Sequence, residues 1–246
     1  MICSARFEGS MKGLFITFEG NEGSGKSTQI KILEQRLRAA SKDTLFLREP
    51  GGTPIGEEIR HTLQHSRANA AMVPEAELLL MNASRAQLVR EVIRPALACG
   101  KIVVCDRFFD STIAYQAYGR ELSRQLVQQV IDIAVGETRP DLTLFLKIPL
   151  AVSETRRATR SQSGPQARDR MEEADRAFFE RVDIGYEDIA ATFPERIRVV
   201  DATNSIESVS GEIWKWIQPL IDELDLKGEK TYKSLGEWEL SKLDDP

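Results

Sequence analysis

Short runs of apolar residues alternate along the chain with longer segments in which apolar residues recur every three or four positions. The short runs predict β-strands at 13–18, 44–48, 102–105, 142–146 and 197–200. Segments 102–105 and 142–146 are apolar almost throughout, which is typical of strands covered on both faces. The pattern therefore predicts an α/β fold in which helices cover both faces of a parallel sheet.

The longer segments predict the helices that cover this sheet. Ile30, Leu33 and Leu37 have the spacing of an amphipathic helix. Three more helix faces are predicted from Leu78, Leu79, Met81, Leu88, Val92 and Leu97, from Leu122, Leu126, Val130, Ile133 and Ala134, and from Ile206, Val209, Ile213, Ile217 and Leu220. Asn204 and Glu207 have capping-box spacing before the last helix, and Pro95 is expected to kink the end of an earlier one.

Two stretches are more polar than the rest of the chain. Residues 153–172 are rich in arginine and contain a Gly-Pro pair, which predicts a mobile polar lid over a site; a solvated loop is the alternative. The segment 222–246 has only scattered apolar anchors, so we expect it to dock on the surface or on a neighbouring subunit, or to stay loose. The predicted organisation is a tail at 1–12, one domain at 13–221 and a second tail at 222–246, with Met11 as an alternative start to Met1.

Composition and charge narrow the class of protein. The 246 residues are enough for one large α/β domain, and 41% hydrophobic and 29% charged residues are usual for a soluble globular protein. The net charge of −5 argues against a nucleic-acid partner, which needs a basic face. No apolar run approaches the ~20 residues of a membrane span. The three cysteines form no C-x-x-C pair, so we expect a cytoplasmic protein in which Cys99 and Cys105 are inert core residues.

The segment from Gly20 to Thr28 is a complete G-x-x-x-x-G-K-[ST] phosphate-binding loop. A predicted strand precedes it and a predicted helix follows it, which favours a phosphate loop over a structural Gly-rich turn. Glycines let backbone N–H groups turn towards phosphate oxygens, and a helix N-terminus adds partial positive charge. Lys26 is expected to reach the outer phosphates, and Ser27 to offer its hydroxyl to Mg²⁺.

Two charged segments directly follow predicted strands. Asp106 and Arg107 follow the strand at 102–105, and Arg48 ends the strand at 44–48. Because ligands of open α/β sheets bind beyond the carboxyl ends of the strands, Asp106 is expected near Mg²⁺, and the two arginines are expected to hold anions. A plain Asp-Arg ion pair is the alternative, but two such arginines beside a phosphate loop favour anion binding.

Three functions fit these residues: a kinase for a nucleoside monophosphate, a nucleotide or deoxynucleoside kinase with another acceptor, and a nucleotide-dependent switch or silent binding protein. Arg48 and Arg107 together favour a monophosphate acceptor. Lys26, Asp106 and the arginines of the lid argue against a catalytically silent protein. His61 and His65 are four residues apart, but without a third ligand a solvated helix face is favoured over a metal pair.

Several segments resemble bacterial thymidylate kinases. The most specific is the run D-R-x-x-x-S-x-x-A-Y-Q at 106–116, and further matches lie at 18–28, 48–53, 140–146 and 201–203. The resemblance covers roughly 13–221. It implies a P-loop NTPase-type, doubly wound five-stranded parallel sheet with helices on both faces and a mobile lid, in a homodimer. It also implies that the chain uses ATP and Mg²⁺ to phosphorylate dTMP to dTDP in dTTP synthesis.

The resemblance further implies a role for each matching residue. ATP would bind the loop residues Gly20, Asn21, Glu22, Gly23, Ser24, Gly25, Lys26, Ser27 and Thr28. The implied catalytic residues are Glu22, Lys26, Asp106, Arg107 and Arg160, and the implied metal ligands are Glu22, Ser27 and Asp106. Arg48 and Arg107 would hold the dTMP phosphate, and Glu22 would hold the sugar 3′-hydroxyl.

The remaining implied roles concern the sugar and the base of dTMP. Arg85 would face the thymine carbonyl, and Ser111 and Gln116 the far edge of the ring. Tyr115 would crowd the sugar 2′ position and so reject ribonucleotides. Where the family usually stacks an aromatic residue on thymine, this chain has Met81, which is expected to weaken the grip on the base.

The lid places the sequence in one of two styles of this family. Gly23 stands where the other style has an arginine in the phosphate loop, whereas the lid carries Arg156, Arg157, Arg160, Arg168 and Arg170. This is the bacterial style, and it implies that Arg160, with Arg156 as the second choice, clamps the transition state. Two further departures from the family are Lys147 at a strand end and Phe108 after Asp106-Arg107.

Overall fold

The computed structural model describes residues 13–162 and 175–241, with the backbone alone described at 67, 68, 157, 160–162 and 227–241. Its strands are β1 (Leu14–Glu19), β2 (Thr44–Arg48), β3 (Ile102–Asp106), β4 (Leu142–Lys147) and β5 (Ile197–Asp201). They form one parallel sheet in the order β2-β3-β1-β4-β5. The five predicted strands and the parallel α/β fold are therefore confirmed, each strand to within one residue at either end.

The register of the sheet brings the predicted site segments to one edge. Phe18 of β1 and Arg48 of β2 are both paired with Asp106 of β3. Because the strands are parallel, the phosphate loop after β1, the end of β2 and Arg107 after β3 emerge at the same level. The central strand β1 is buried along its whole length, as its continuous apolar run predicts.

Helices cover both faces of the sheet. They are α1 (Lys26–Ala39), α2 (Pro54–Gln64), α3 (Pro74–Leu88), α4 (Arg94–Ala98), α5 (Phe109–Thr112), α6 (Arg124–Val135), α7 (Leu150–Gln162), α8 (Arg176–Thr192) and α9 (Ile206–Ser241). A 3₁₀ turn spans Arg67–Ala71, and π-helical turns span Val89–Ile93 and Ile113–Gly119. Ile16 and Phe18 pack with α1 and α9, while Phe15 on the opposite face packs with α3, α4 and α6.

The predicted helix faces are confirmed in part. Leu33 and Leu37 of α1 are buried. The prediction is wrong for Leu126 and Ile133 of α6, which are 42% and 75% exposed, and for Leu79 of α3, which is 58% exposed. The buried face of α6 instead consists of Val127, Ile131, Ala134 and Val135. Apolar residues occur on two adjacent sides of this helix, and packing against the sheet buries only one of them.

Two predictions about helix ends are also corrected. The hydroxyl of Ser205, not the side chain of Asn204, accepts a hydrogen bond from a backbone N–H at the start of α9, since Ser208 N lies 3.2 Å from Ser205 Oγ. Asn204 instead donates to the carbonyl of Asp201. Pro95 lies in the first turn of α4, directly after the π-helical turn Val89–Ile93. The π-helical turn is the irregularity of the helix near the position where Pro95 was expected to cause a kink.

The lid segment begins as regular structure. Residues 153–162 of the predicted lid at 153–172 are helical and belong to α7, while 163–172 lie outside the described residues, as do 1–12 and 242–246. The last helix, α9, continues through the expected boundary at 221 and 222. In the part of the chain that the structure describes, no helix combines the length and apolarity that a membrane crossing requires.

Candidate active site

The predicted site residues border a cavity of about 860 Å³ at the carboxyl edge of the sheet. Its walls come from the phosphate loop, the ends of β2 and β3, helix α3, the π-helical turn Ile113–Gly119 and the lid helix α7. The predicted residues that line it are Glu22, Gly23, Ser24, Gly25, Lys26, Ser27, Thr28, Arg48, Met81, Arg85, Asp106, Arg107, Ser111, Tyr115 and Gln116. The side chain of Arg160 lies outside the described residues, as do Arg168 and Arg170.

The phosphate loop requires glycine at its two ends. Gly20 has a φ of +132° and Gly25 a φ of +93°, both in the region that side chains disfavour. A Cβ at Gly20 would also lie 2.5 Å from the carbonyl oxygen of Leu146. The chain can therefore turn tightly from β1 into α1 and point the first backbone N–H groups of α1 at the cavity.

Lys26 lies across this loop. Its Nζ donates hydrogen bonds to the carbonyl oxygens of Gly20 at 2.8 Å and Asn21 at 3.1 Å. Burial, with a smaller contribution from the charge of Arg107, lowers the pKa of Lys26 to about 8. The phosphates of a bound nucleotide would raise this pKa again, because negative charge favours the ammonium form.

The side chains of Ser27 and Asp106, the predicted metal ligands, lie close together at the cavity. Ser27 Oγ donates to Asp106 Oδ2 at 3.4 Å, and both side chains border the cavity. Among the described residues, no group of three or more His, Cys, Asp or Glu is arranged to hold a metal. Mg²⁺ is commonly bound by one or two protein oxygens with the remaining ligands from water and substrate phosphates. The hydroxyl and the carboxylate therefore fit a magnesium ion that arrives with a nucleotide.

Arg107 is held over the cavity by hydroxyl groups. Its Nη1 donates to Ser111 Oγ and to Tyr186 Oη, each at 3.0 Å, and its Nη2 donates to Tyr115 Oη at 3.3 Å. The backbone is fixed too, because Arg107 N donates to the carbonyl of Phe18 at 2.9 Å. The guanidinium is thus preorganised to receive an anion.

A buried carboxylate, Glu19, holds these hydroxyl groups in turn. Glu19 accepts from Ser111 Oγ at 2.6 Å, from Tyr186 Oη at 3.0 Å and from Phe108 N at 2.8 Å. Burial and the nearby charge of Asp110 raise the pKa of Glu19, while Arg107 opposes the rise. Ser111, which was predicted to face thymine, therefore has its hydroxyl engaged by Glu19 and Arg107.

The second anion-binding candidate, Arg48, is paired with Glu57 of α2. The shortest distance between the guanidinium and the carboxylate is 3.0 Å, and the two side chains are 49% and 45% exposed. Glu57 also accepts from Gly52 N at 2.8 Å, and this backbone hydrogen bond lowers its pKa. An exposed pair is weak, so a substrate phosphate can replace the carboxylate.

Arg85 is enclosed far more tightly. It is 2% exposed, pairs with Glu49 at 2.7 Å and donates to Thr112 Oγ1 at 2.9 Å. Burial raises the pKa of Glu49 to about 7, against the lowering effect of Arg85. Met81 lies one turn before Arg85 on the same side of α3 and borders the cavity with it. Arg85 is therefore a fixed donor at the wall of the cavity rather than a mobile clamp.

Helix α7 of the lid contacts the phosphate loop through Arg156. Arg156 Nη1 donates to the carbonyl of Gly23 at 2.9 Å, and Ser153 Oγ donates to the carbonyl of Glu22 at 2.7 Å. A Cβ on Gly23 would lie 3.1 Å from Cβ of Arg156. The lid arginine thus packs against the loop position that carries an arginine in the other style of the family.

The residues that hold the arginines in place carry little signal in the sequence. Glu19 stood inside a recognised segment, and its position at a strand end before the phosphate loop was the available signal. Tyr186 has no local signal, because its partners Glu19 and Arg107 are distant in the sequence. Glu57 has none either, because a glutamate on an exposed helix is ordinary. Cys105 is buried as predicted, whereas Cys99 is exposed and its predicted burial is wrong.

Other residues that departed from the family or suggested a metal have ordinary surroundings. His61 and His65 are exposed on α2 and its end, as the solvated-face interpretation requires. Lys147 forms an exposed ion pair with Glu187 at 2.6 Å. Phe108 is fully buried, with its ring centroid 5.0 Å from that of Phe15.

Comparisons with known proteins agree with this geometry. A family model described as thymidylate kinase matches residues 18–213. The thymidylate kinase of Geobacter sulfurreducens is 48% identical over 199 residues, which cover 80% of this chain and 93% of that relative. The thymidylate kinase of Deinococcus radiodurans is 46% identical over 203 residues, covering 82% and 95%.

A solved structure shares the fold as well. The thymidylate kinase of Ehrlichia chaffeensis superposes with a TM-score of 0.67 at 33% identity, covering 84% of this chain and 98% of the other. The family match spans most of the chain and includes the phosphate loop, Arg48 and the segment 106–116. The chain belongs to the thymidylate kinase family, whose members are transferases that phosphorylate dTMP to dTDP with ATP.

Proposed function

We propose that the cavity binds ATP and dTMP side by side and that its residues carry out the thymidylate kinase reaction. The observation that carries the proposal is the convergence of three cationic side chains, those of Lys26, Arg48 and Arg107, on one cavity next to a phosphate loop. Phosphoryl transfer needs aligned phosphates and neutralised charge more than covalent help from the protein. Such a cluster supplies both.

On the donor side, the backbone N–H groups of the phosphate loop hold the ATP phosphates, and Lys26 exchanges its bonds to the loop carbonyls for phosphate oxygens. Ser27 and Asp106, with Glu22 nearby, hold the Mg²⁺ that neutralises charge on the phosphates. Support comes from the short separation of Ser27 and Asp106 and from the burial of Lys26. The burial of Lys26 strengthens its electrostatic contact with the phosphates.

On the acceptor side, Arg107 and Arg48 hold the dTMP phosphate. The fork of Arg107 stays in place through its hydroxyl partners, whereas Arg48 leaves Glu57 to reach the anion. Glu22 accepts a hydrogen bond from the sugar 3′-hydroxyl, and Tyr115 excludes a 2′-hydroxyl. The base lies against Met81 and Arg85, with Gln116 at its far edge.

The lid completes the site at the transition state. Arg160 is assigned the clamp between donor and acceptor, and Arg156 the contact with the ground-state nucleotide. The hydrogen bond from Arg156 to Gly23 supports the second assignment. Closing a lid over the phosphates also excludes water, which would otherwise compete with dTMP as the acceptor.

A homodimer and a cytoplasmic location belong to the same proposal. Leu79 of α3 and Ile133 of α6 are large apolar residues that are more than half exposed, on helices that pack against each other. A second copy of the chain would cover such a face. The buried Cys105 is a free thiol, which suits a reducing compartment.

The decisive experiment is a coupled assay for ADP release with ATP and a panel of dTMP, dUMP, dCMP, dGMP and AMP. Fast release with dTMP alone, or with dTMP ahead of dUMP, is expected. Lys26→Ala is the matched control and should abolish turnover while dTMP binding, measured by calorimetry, largely survives. A preference for another monophosphate, or ADP release that needs no acceptor, would refute the thymidylate assignment.

A further inference from the structure

A buried carboxylate behind the cavity wall, Glu77, has no part in the chemistry described above. It is 0% exposed and lies in the first turn of α3. Gln116 Nε2 donates to Glu77 Oε1 at 2.8 Å, and Arg120 Nη2 donates to Glu77 Oε2 at 3.1 Å. Burying a carboxylate costs desolvation free energy even when it has such partners. A role for Glu77 in the cavity would explain why it is buried here.

The carboxylate determines which way the amide of Gln116 points. An ionised carboxylate offers acceptors only, so the amide nitrogen and not the amide oxygen must face Glu77. Arg120 also donates to both oxygens of this carboxylate, at 3.3 Å and 3.1 Å, so each oxygen already serves as an acceptor. Gln116 is itself 1% exposed and borders the cavity. Its carbonyl Oε1 is therefore the amide atom available to a ligand.

Glu77 also lies in line with the proposed base site. Glu77, Met81 and Arg85 follow at intervals of four residues on α3 and so share one side of the helix. Arg85 donates to Thr112, four residues before Gln116, at 2.9 Å. One side of α3 and the π-helical turn thus enclose the same part of the cavity, which both Arg85 and Gln116 border.

We propose that Glu77 is a positioning residue that makes Gln116 present a carbonyl acceptor to the N3 position of the base. Thymine and uracil carry an N–H there, whereas cytosine carries an acceptor that would meet the carbonyl lone pairs. A site that accepts a hydrogen bond from the N3–H of thymine strongly rejects cytosine, because a buried polar group would be left unpaired. The inference rests on the proposed placement of the base beside Met81 and Arg85.

The test compares kcat/KM for dTMP and dCMP in the wild type and in Glu77→Gln, Gln116→Leu and the double variant. In Glu77→Gln the new amide can accept or donate, so Gln116 loses its fixed orientation. The preference for dTMP should fall about tenfold or more, through KM rather than kcat. Gln116→Leu should cause a similar fall, and the double variant should match Gln116→Leu alone, because both changes act through one contact.

Asp110→Asn is the matched control. Asp110 is also buried, at 1% exposure, but its carboxylate bonds to Arg196 and Thr143 rather than to Gln116. This variant should lower the melting temperature, as Glu77→Gln does, and leave the ratio of kcat/KM for dTMP to that for dCMP unchanged.

Two results would overturn the inference while leaving the proposed function intact. One is a wild-type enzyme that prefers dTMP and keeps that preference in Gln116→Leu, a result that decides the matter even if Glu77→Gln fails to fold. The other is a Glu77→Gln variant that loses activity equally with both nucleotides, as Asp110→Asn would. A wild-type enzyme without preference for dTMP over dCMP would instead refute the proposed function, and the inference with it.

Discussion

Glu19→Gln tests how the dTMP phosphate is gripped. Ser111 and Tyr186 each donate to Glu19 and each accept from Nη1 of Arg107 at 3.0 Å. The carboxylate therefore keeps the proton of each hydroxyl group directed away from Arg107, so that each hydroxyl oxygen directs a lone pair towards the guanidinium. In the variant, the amide nitrogen becomes a donor, the hydroxyl groups must turn, and Arg107 faces hydroxyl protons instead of lone pairs.

The size of the effect follows from the contacts that change. A hydrogen bond involving a charged group contributes about 1.5–3 kcal/mol. If the variant loses the equivalent of one such bond to Arg107, kcat/KM for dTMP should fall roughly 10- to 150-fold. Steady-state kinetics with varied dTMP at saturating ATP measures the loss. KM for ATP should change little, because Lys26 and the loop carbonyls keep their contacts.

Acid should mimic this substitution. Protonation of Glu19 removes the same negative charge, and its pKa is raised by burial and by Asp110. Below that pKa, kcat/KM for dTMP should fall in the wild type, and this decline should be absent or reduced in Glu19→Gln. Arg107→Lys completes a double-mutant cycle, in which the two losses should not add. Additive losses, or a stable Glu19→Gln enzyme with normal kcat/KM for dTMP, would refute the reasoning.

Five further substitutions test other contacts. Tyr115→Ala should admit the ribonucleotide analogue of dTMP, measured as a lower ratio of kcat/KM for deoxy over ribo substrate; an unchanged ratio would make Tyr115 a packing residue. Met81→Phe should lower KM for dTMP by less than about tenfold with kcat nearly fixed, since thioether and aromatic contacts have overlapping strengths; a raised KM would contradict this. Arg160→Ala should lower kcat by about 10³-fold with little change in KM for dTMP. Arg156→Ala should instead raise KM for ATP. A small loss of kcat in Arg160→Ala would assign the stabilisation of the transition state to Arg156. Burial raises the pKa of Asp183 from 3.8 to about 6, so the folded protein retains this proton to a higher pH than the unfolded chain does. The free energy of unfolding of the wild type, measured by urea titration relative to Asp183→Asn, should therefore fall as the pH rises through this range. The same pH dependence of this free energy in both proteins would contradict the shift.

The sheet could be predicted from the sequence because its strands are buried on both faces. Such strands must be apolar nearly throughout, and no surface pattern competes with that signal. Helix faces were harder to predict, because α6 has apolar residues on two adjacent sides. Which side meets the sheet depends on packing, so Ile133 was assigned to the core although it is 75% exposed. An exposed apolar side of this kind is indistinguishable in the sequence from a buried one.

Some parts of the candidate site could likewise be predicted from the sequence, and others could not. The phosphate loop is contiguous and its chemistry depends on local glycines, so nine adjacent residues identify it. The support of Arg107 depends on Glu19 and Tyr186, which are 167 residues apart in the chain. Neither residue type is unusual where it occurs, and only the fold joins them. Residues proposed to contact the substrate could thus be predicted from motifs, whereas the residues that hold them in place can be identified only from the tertiary structure.

Three arginines of the cavity, Arg48, Arg85 and Arg107, differ in how a carboxylate holds them. Arg85 and Glu49 are nearly fully buried, so removing either charge leaves the other desolvated, and the pair stays closed when the substrate enters. Arg48 and Glu57 are about half exposed, so water can take over from the carboxylate and the guanidinium is free to move to a phosphate. Arg107 differs from both, since its carboxylate, Glu19, is buried but hydroxyl groups separate the two charges. The burial of the carboxylate and its direct or indirect contact with the guanidinium thus make a closed pair, an exposed pair and a guanidinium held by hydroxyl groups from one residue type.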